Sequence, residues 1–252
     1  MPKTSTGGAA PREIVARAGL VLVDLDGCLA FGGVPHPDAS RFLRAIDGRY
    51  VVLSNNSSTT PDALARDLAG YGLVLDPRRI LLAGAAMIEM LAEESQSKFI
   101  QLIASDEIVA YARARELRLI DAGGDIVALA RDTGLTYAKL ARAVAALAAG
   151  AKLVVSNPDL THPGMGRVPV PETGALLAAL RACLPDIDPR IVGKPAPILF
   201  RRALARFGVD AAQAVMIGDN AATDGEGARG MGMNALLVGP GHALAGIGDL
   251  VA

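Results

Sequence analysis

The run Leu20-Val21-Leu22-Val23-Asp24-Leu25-Asp26-Gly27 joins an unbroken apolar block to two acids and a glycine. Four consecutive leucine and valine residues read as a strand buried on both faces, as in a parallel sheet covered by helices. Asp24 and Asp26 stand two apart, so an extended backbone turns both carboxylates to one side. Gly27 then lets the chain bend sharply.

The same grammar recurs along the chain. Residues 50–53 form a second apolar block, ending in Ser54-Asn55-Asn56-Ser57-Ser58. Helices are expected over 38–47 and from Pro61 to about residue 69. Near the far end, 190–192 runs into Gly193-Lys194-Pro195, and 214–217 into Gly218-Asp219-Asn220. A helix over 197–207 is closed by Gly208. A helix over 221–230 is weakened by Gly225 and Gly227, and 234–238 is a last strand. Strand and helix in alternation predict right-handed βαβ units and a doubly wound parallel α/β sheet.

Between these halves, residues 80–185 carry their own alternation: strands at 98–104, 117–120, 125–130 and 152–155, and helices at 88–94, 105–115 and 136–149. That segment has the size of an inserted α/β domain. The expected organisation is an arm over residues 1–12, rich in Gly, Ser, Thr and Pro, a core of 13–79 with 186–252, and a cap of 80–185.

Composition narrows the function. Among 252 residues, 25 Lys and Arg stand against 26 Asp and Glu, a net charge of −1, so a general nucleic-acid binder is disfavoured. Trp is absent and aromatics make up 4%, which argues against a stacking platform for single strands. Cys28 and Cys183 make neither a disulfide framework nor a zinc spacing, and a reducing cytoplasm fits them. No apolar run reaches the roughly 18 residues of a membrane span, and the first residues lack a secretory apolar core.

Four polar clusters follow strands: Asp24 with Asp26, Ser54 with Asn55, Lys194, and Asp219 with Asp224. In an open parallel sheet such strand ends gather in one crevice. Several carboxylates brought together repel, and a hard cation with oxygen ligands relieves the conflict. A lysine and a hydroxyl beside that cation suit the oxygens of a phosphoryl group. A carboxylate is also a competent nucleophile, and a second one two residues on is placed to act as general acid and base.

These motifs resemble those of the haloacid dehalogenase-like (HAD) hydrolase superfamily. Asp24-Leu25-Asp26-Gly27 is similar to its first motif, Ser54-Asn55-Asn56 to its second, Gly193-Lys194-Pro195 to its third, and Gly218-Asp219-Asn220 through Thr223-Asp224 to its fourth. Ser-Asn-Asn, Asn157-Pro158-Asp159 and Gly-Lys-Pro resemble the NagD-like subgroup, phosphatases with a large α/β cap between the second and third motifs. Cys28 and Gly225-Glu226-Gly227 depart from the usual pattern without removing an acid. The resemblance implies Asp24 as nucleophile and Asp26 as the acid that protonates the leaving group and then activates water. It implies Mg²⁺ held by Asp24, the Asp26 carbonyl, Asp219 and Asp224. Ser54, Asn55 and Asn56 would bind phosphate, Lys194 would neutralise charge, and Asn157 and Asp159 would face the site from the cap. It further implies a small phosphorylated metabolite as partner, a nucleotide, sugar, pyridoxal phosphate, phosphoglycolate or para-nitrophenyl phosphate ester, and a homodimer through the cap by analogy.

Each feature also has a plainer reading. Asp-Gly alone is a turn, Ser54 alone a helix cap, Lys194 alone a surface charge. His36 and His162 sit beside prolines in loops, and Arg167 is a candidate for a second substrate anion. Leu176, Leu177 and Leu180 have the spacing of a buried helix face. Two alternatives to a phosphatase share these motifs: a phosphotransferase, and a binding or regulatory protein on the same fold.

Overall fold

The computed structural model describes residues 9–46, 48–163 and 168–251. In chain order the first part holds α1 (Pro11–Arg17), β1 (Leu20–Val23), β2 (Ala30–Phe31), β3 (Val34–Pro35), α2 (Ala39–Ala45), β4 (Tyr50–Ser54), α3 (Pro61–Gly70), β5 (Ile80–Leu82) and α4 (Ala83–Glu94). The middle holds β6 (Phe99–Ile103), α5 (Asp106–Arg113), β7 (Arg118–Leu119), β8 (Ile126–Leu129), α6 (Tyr137–Ala148), β9 (Lys152–Val155), β10 (Thr161–Pro163), β11 (Pro169–Pro171) and α7 (Thr173–Cys183). The last part holds β12 (Arg190–Ile191), α8 (Pro197–Phe207), β13 (Ala214–Gly218), α9 (Glu226–Gly230) and β14 (Asn234–Leu237).

Two parallel five-stranded sheets organise these elements. The first has the order β14-β13-β1-β4-β5 and the second β12-β9-β8-β6-β7. In the first sheet the chain grows outward from β1 through β4 to β5, then returns to the other side of β1 with β13 and β14. The order therefore reverses between β1 and β13, and ligand crevices open at the carboxyl ends of strands at such a point.

Alternation along each strand serves two cores. Leu20 and Leu22 of β1, with Val51, Leu53 and Met216, face Met87 and Phe200 on one side. Val21 and Val23, with Val52 and Ile217, face Phe42, Leu64 and Leu68 on the other. The first of these cores runs on into Ile100, Ala128 and Val154, so the two sheets share buried apolar surface. A third cluster packs β8 and β9 against α6 and α7 and includes Leu177 and Leu180, with Leu176 at its margin.

Local signals set the helix ends. Thr60, Ser105 and Thr136 accept hydrogen bonds from the backbone N–H three residues on, as N-caps do. Gly208, at φ 63°, closes α8 in the left-handed conformation.

The segment boundaries differ from expectation. β5, expected in the cap at 80–185, pairs with β4 in the first sheet. β12, expected in the core with 186–252, pairs with β9 in the second sheet. Residues 1–8 of the expected arm lie outside the described residues, as does Arg167. Pro11 and Arg12, assigned to that arm, open α1 instead, with the proline in the first turn. Residues 221–230 are helical in two pieces, a π-helical turn at Ala221–Gly225 and then α9. Among the described residues no helix is long and apolar enough to cross a membrane.

Candidate active site

The carboxyl ends of the two sheets face each other. Asp24 follows β1, Ser54 ends β4 and Asp219 follows β13; from the second sheet come Ser156 and Asn157 after β9 and Gly193 and Lys194 after β12. Hydrogen bonds cross between them: Asn157 Nδ2 donates to Asn55 O at 2.9 Å, and Asn55 Nδ2 to Lys194 O at 2.9 Å.

Lys194 stands at the centre. It is 2% exposed, and its Nζ donates to Asp24 Oδ1 and to Asp224 Oδ1, both at 2.6 Å. Burial opposes its charge, but Asp224 and Asp24 outweigh that and raise its pKa. Its backbone is clamped by one side chain: Asn55 Oδ1 accepts from Lys194 N–H at 2.8 Å, and Asn55 Nδ2 donates to Lys194 O at 2.9 Å.

Asp24, Asp219 and Asp224 bring one carboxylate oxygen each to within 4.8 Å of the others. Burial, and then Asp224, raise the pKa of Asp219, while burial raises that of Asp24 against the opposing Lys194. A single lysine does not balance this charge. Hard oxygen donors at this separation fit a small divalent cation, which favours the ionised carboxylates. Two glycines make the approach feasible. Gly27 has φ +85°, and a side chain there would run into the Asp219 carboxylate; one at Gly218 would run into Asp224. Asn220 shapes the π-helical turn, its Oδ1 accepting from Ala222 and Thr223 N–H while its own N–H donates to Asp224 Oδ2. Such π turns are frequent at functional sites.

Asp26 stands outside that trio and is exposed. The protein walls around it desolvate its carboxyl and raise its pKa, with Lys194 and His162 pulling the other way. Ser54, 2% exposed, accepts from Asn56 N–H at 3.0 Å, and its side chain is among the groups that pull the Asp26 pKa down.

The remaining expected residues divide by role. Asn56 Oδ1 accepts from Ser58 and Thr59 N–H, so it shapes the loop after β4. Asn157, expected to bind substrate, is fully buried, and its amide is spent on Asn55 O, Ser156 Oγ and Thr173 Oγ1. That environment makes it a prop for the loop. Asp159 is half-buried, accepts from Asn55 Nδ2 at 3.0 Å, and has its pKa raised by burial. His162 lies on β10 with Nδ1 2.7 Å from Glu172 Oε1, near Asp26. His36 stays in its loop, accepting from Asp38 N–H. Cys28 is buried, and burial pushes its thiol pKa up, so it is no ready nucleophile.

Sequence reasoning missed several participants. Ser57 and Thr173 share a hydrogen bond at 3.0 Å, both buried. Glu107 of α5 accepts from Thr59 Oγ1, Thr60 N–H and Thr60 Oγ1 at the start of α3. His242 Nε2 lies 3.0 Å from Asp219 O. A hydroxyl or carboxylate with an unknown partner carries no signal in sequence. Only a histidine so soon after the fourth motif was open to suspicion.

The chain is similar to known proteins in sequence and fold. The family described as haloacid dehalogenase-like hydrolase matches residues 21–118, and the HAD-hydrolase-like family matches residues 191–246. A dihydroxyacetone phosphatase from Corynebacterium glutamicum is 30% identical over 87% of this chain and 80% of its own length. The structure of a 4-nitrophenylphosphatase from Thermotoga maritima superposes with a TM-score of 0.83 at 25% identity, over 89% of this chain and 87% of that one. A glycerol phosphate phosphatase from Mycobacterium tuberculosis, solved in complex with magnesium, gives 0.81 at 30% identity, over 89% and 68%.

Proposed function

The chain belongs to the haloacid dehalogenase-like hydrolase family and is a phosphatase of it, and from that premise we propose that it is a magnesium-dependent enzyme that hydrolyses a small phosphomonoester through a phosphorylated Asp24. The observation that carries the reading is Lys194 Nζ held between Asp24 and Asp224, with Asp219 beside them.

The chain's own groups supply the steps. Lys194 occupies Asp24 Oδ1, which leaves Oδ2 to attack phosphorus. The bond from phosphorus to the ester oxygen breaks as Asp26 delivers its proton to that oxygen. The raised pKa of Asp26 suits a group that must begin protonated. Ionised Asp26 then takes a proton from the water that attacks the phosphorylated Asp24, and free enzyme and inorganic phosphate result. Ser54 and the loop after β4 hold the phosphoryl oxygens, and Lys194 balances their charge. Asp24, Asp219, Asp224 and the Asp26 carbonyl would hold Mg²⁺. When bound, the cation neutralises the carboxylates and polarises the phosphoryl group.

Asp159 and His162 line the cap side near Asp26 with polar groups. With relatives named for dihydroxyacetone phosphate and glycerol 3-phosphate, this favours a short hydroxylated phosphate ester as substrate. The same reading has the enzyme working in the cytoplasm on a soluble metabolite. The test is phosphate release from a panel with Mg²⁺ and with EDTA: dihydroxyacetone phosphate, glycerol 3-phosphate, nucleotide monophosphates, pyridoxal phosphate, phosphoglycolate and para-nitrophenyl phosphate. Metal-dependent release led by the three-carbon esters is the expected result. A preference for nucleotides or aromatic esters overturns the substrate, and no release from any member overturns the activity. Phosphate passed to an added alcohol in place of water identifies a phosphotransferase.

A further inference from the structure

We propose that Thr173, at the start of α7 in the cap, is a positioning residue for the reaction, and that its hydroxyl locks the phosphate-binding loop of the core in place. The proposal rests on the phosphatase reading above.

The loop from Ser54 to Ser58 carries the groups that would meet phosphate, yet few of its anchors come from its own sheet. Ser57 is 1% exposed, and Ser156, Asn157 and Thr173 are 0% exposed. Around Thr173 Oγ1 stand Ser57 Oγ at 3.0 Å, Asn157 Nδ2 at 3.2 Å and Ser156 Oγ at 3.3 Å. A hydroxyl has one proton to give and two lone pairs. Asn157 Nδ2 can only donate, so it takes one lone pair. Ser57 Oγ also accepts from Arg131 N–H at 3.1 Å, and either Ser57 or Ser156 gives its proton to the second lone pair of Thr173 Oγ1. The Thr173 proton goes to the other of the two hydroxyls. With three partners, every position on the Thr173 hydroxyl is filled.

This saturated node acts on the site through two arms. One arm is Ser57, whose backbone is pressed on the other side by α4: a side chain at Gly84 would stand 2.7 Å from Ser57 Cα. The other arm is Asn157, which donates onward to Asn55 O at 2.9 Å. Asn55 in turn clamps both backbone groups of Lys194. Among the hydrogen bonds of the described residues, Thr173 reaches neither the catalytic acids nor the lysine, but it bonds the loop directly at Ser57 and, through Asn157, at Asn55. The next residue is constrained as well, because a side chain at Gly174 would strike the Pro158 carbonyl. Thr173 is therefore held by its helix against the turn that carries Asn157 and Asp159. Buried polar groups that lose one partner leave the others unpaired, so the network yields as a unit.

Thr173→Val keeps the shape and removes the hydroxyl, while Thr173→Ser keeps the hydroxyl. Displacement of a phosphate loop by a fraction of an ångström to one ångström costs about ten- to a hundredfold in rate. The expected result is that Thr173→Val lowers kcat/KM by that factor on every ester, weakens inhibition by inorganic phosphate, and speeds amide exchange of residues 55–58. Thr173→Ser stays within about threefold of wild type, as a retained hydroxyl predicts. A folded Thr173→Val protein with wild-type phosphate inhibition and unchanged exchange at 55–58 overturns the proposal. Should Thr173→Val not fold, Ser57→Ala cuts the same link from the core side and carries the same readouts. Amide exchange needs no turnover, so it tests Thr173 even where wild-type protein releases no phosphate, which is the failure of the functional reading instead.

Discussion

Replacing Lys194 with methionine removes one charge at nearly constant volume, and the structure sets the size of the response. The ammonium lies 2.6 Å from Asp24 Oδ1 and 2.6 Å from Asp224 Oδ1. Both partners are buried, at 7% and 0% exposed. The variant leaves these two carboxylates, with Asp219 beside them, facing one another with no cation. Removing one partner of a buried ion pair costs about 3–5 kcal/mol. For a chain of this size 1 kcal/mol moves Tm by about 2–4 °C, so Tm in EDTA should fall by about 6–20 °C. A domain stability of about 5–15 kcal/mol leaves most of the protein folded at room temperature. Saturating Mg²⁺ should shrink the fall, because the cation neutralises the same carboxylates. Adding Asp224→Asn should recover part of it in EDTA by removing a stranded charge. Loss of a donor that stabilises the transition-state charge should lower kcat by about 10²–10³. Thermal unfolding followed by circular dichroism, with and without EDTA, reads the first effect, and phosphate release reads the second. A Tm in EDTA within about 2 °C of wild type, less than 1 kcal/mol on this scale, refutes the reasoning.

Two further outcomes follow from the site's electrostatics. Burial raises the pKa of Asp24, so its contribution to stability is full below about pH 4, the unfolded value, and is lost as pH rises through the folded one. In EDTA, Asp24→Asn should therefore gain Tm over wild type as pH rises from about 4 to about 7 while turnover is abolished; a gap that stays constant contradicts this. Asp26→Asn should cut turnover of glycerol 3-phosphate by about 10²–10⁴. With para-nitrophenyl phosphate, whose leaving group needs no proton, it should give a burst of nitrophenol followed by slow turnover, and absence of the burst removes Asp26 from the second step.

What the sequence made legible was whatever is local. A continuous apolar block reads as a buried strand, and a polar residue at its end reads as the lip of a crevice. Asp24, Ser54, Asp219 and, after β12, Lys194 were all found that way. β5 and β12 were misplaced because each is only two or three residues long. β5 also runs straight into α4 without a polar end. Nothing in Ile80-Leu81-Leu82 or Arg190-Ile191 says which sheet they join; pairing with β4 and β9 decides it. Asn157 was found, but with the wrong task, since its motif tells of position and not of the partners its amide meets. Ser57 and Thr173 escaped entirely. A serine and a threonine 116 residues apart acquire meaning only when two sheet edges meet.

The central claim is that Asp24 carries the phosphoryl group during turnover. The direct measurement is rapid acid quench of enzyme with a phosphate ester radiolabelled in the phosphoryl group, followed by peptide mapping. The account predicts label on the peptide that contains Asp24, formed and lost at rates consistent with turnover in the presence of Mg²⁺, and none in Asp24→Asn. Phosphate release by wild type at full rate with no label on that peptide, or substantial turnover by pure Asp24→Asn protein, contradicts it.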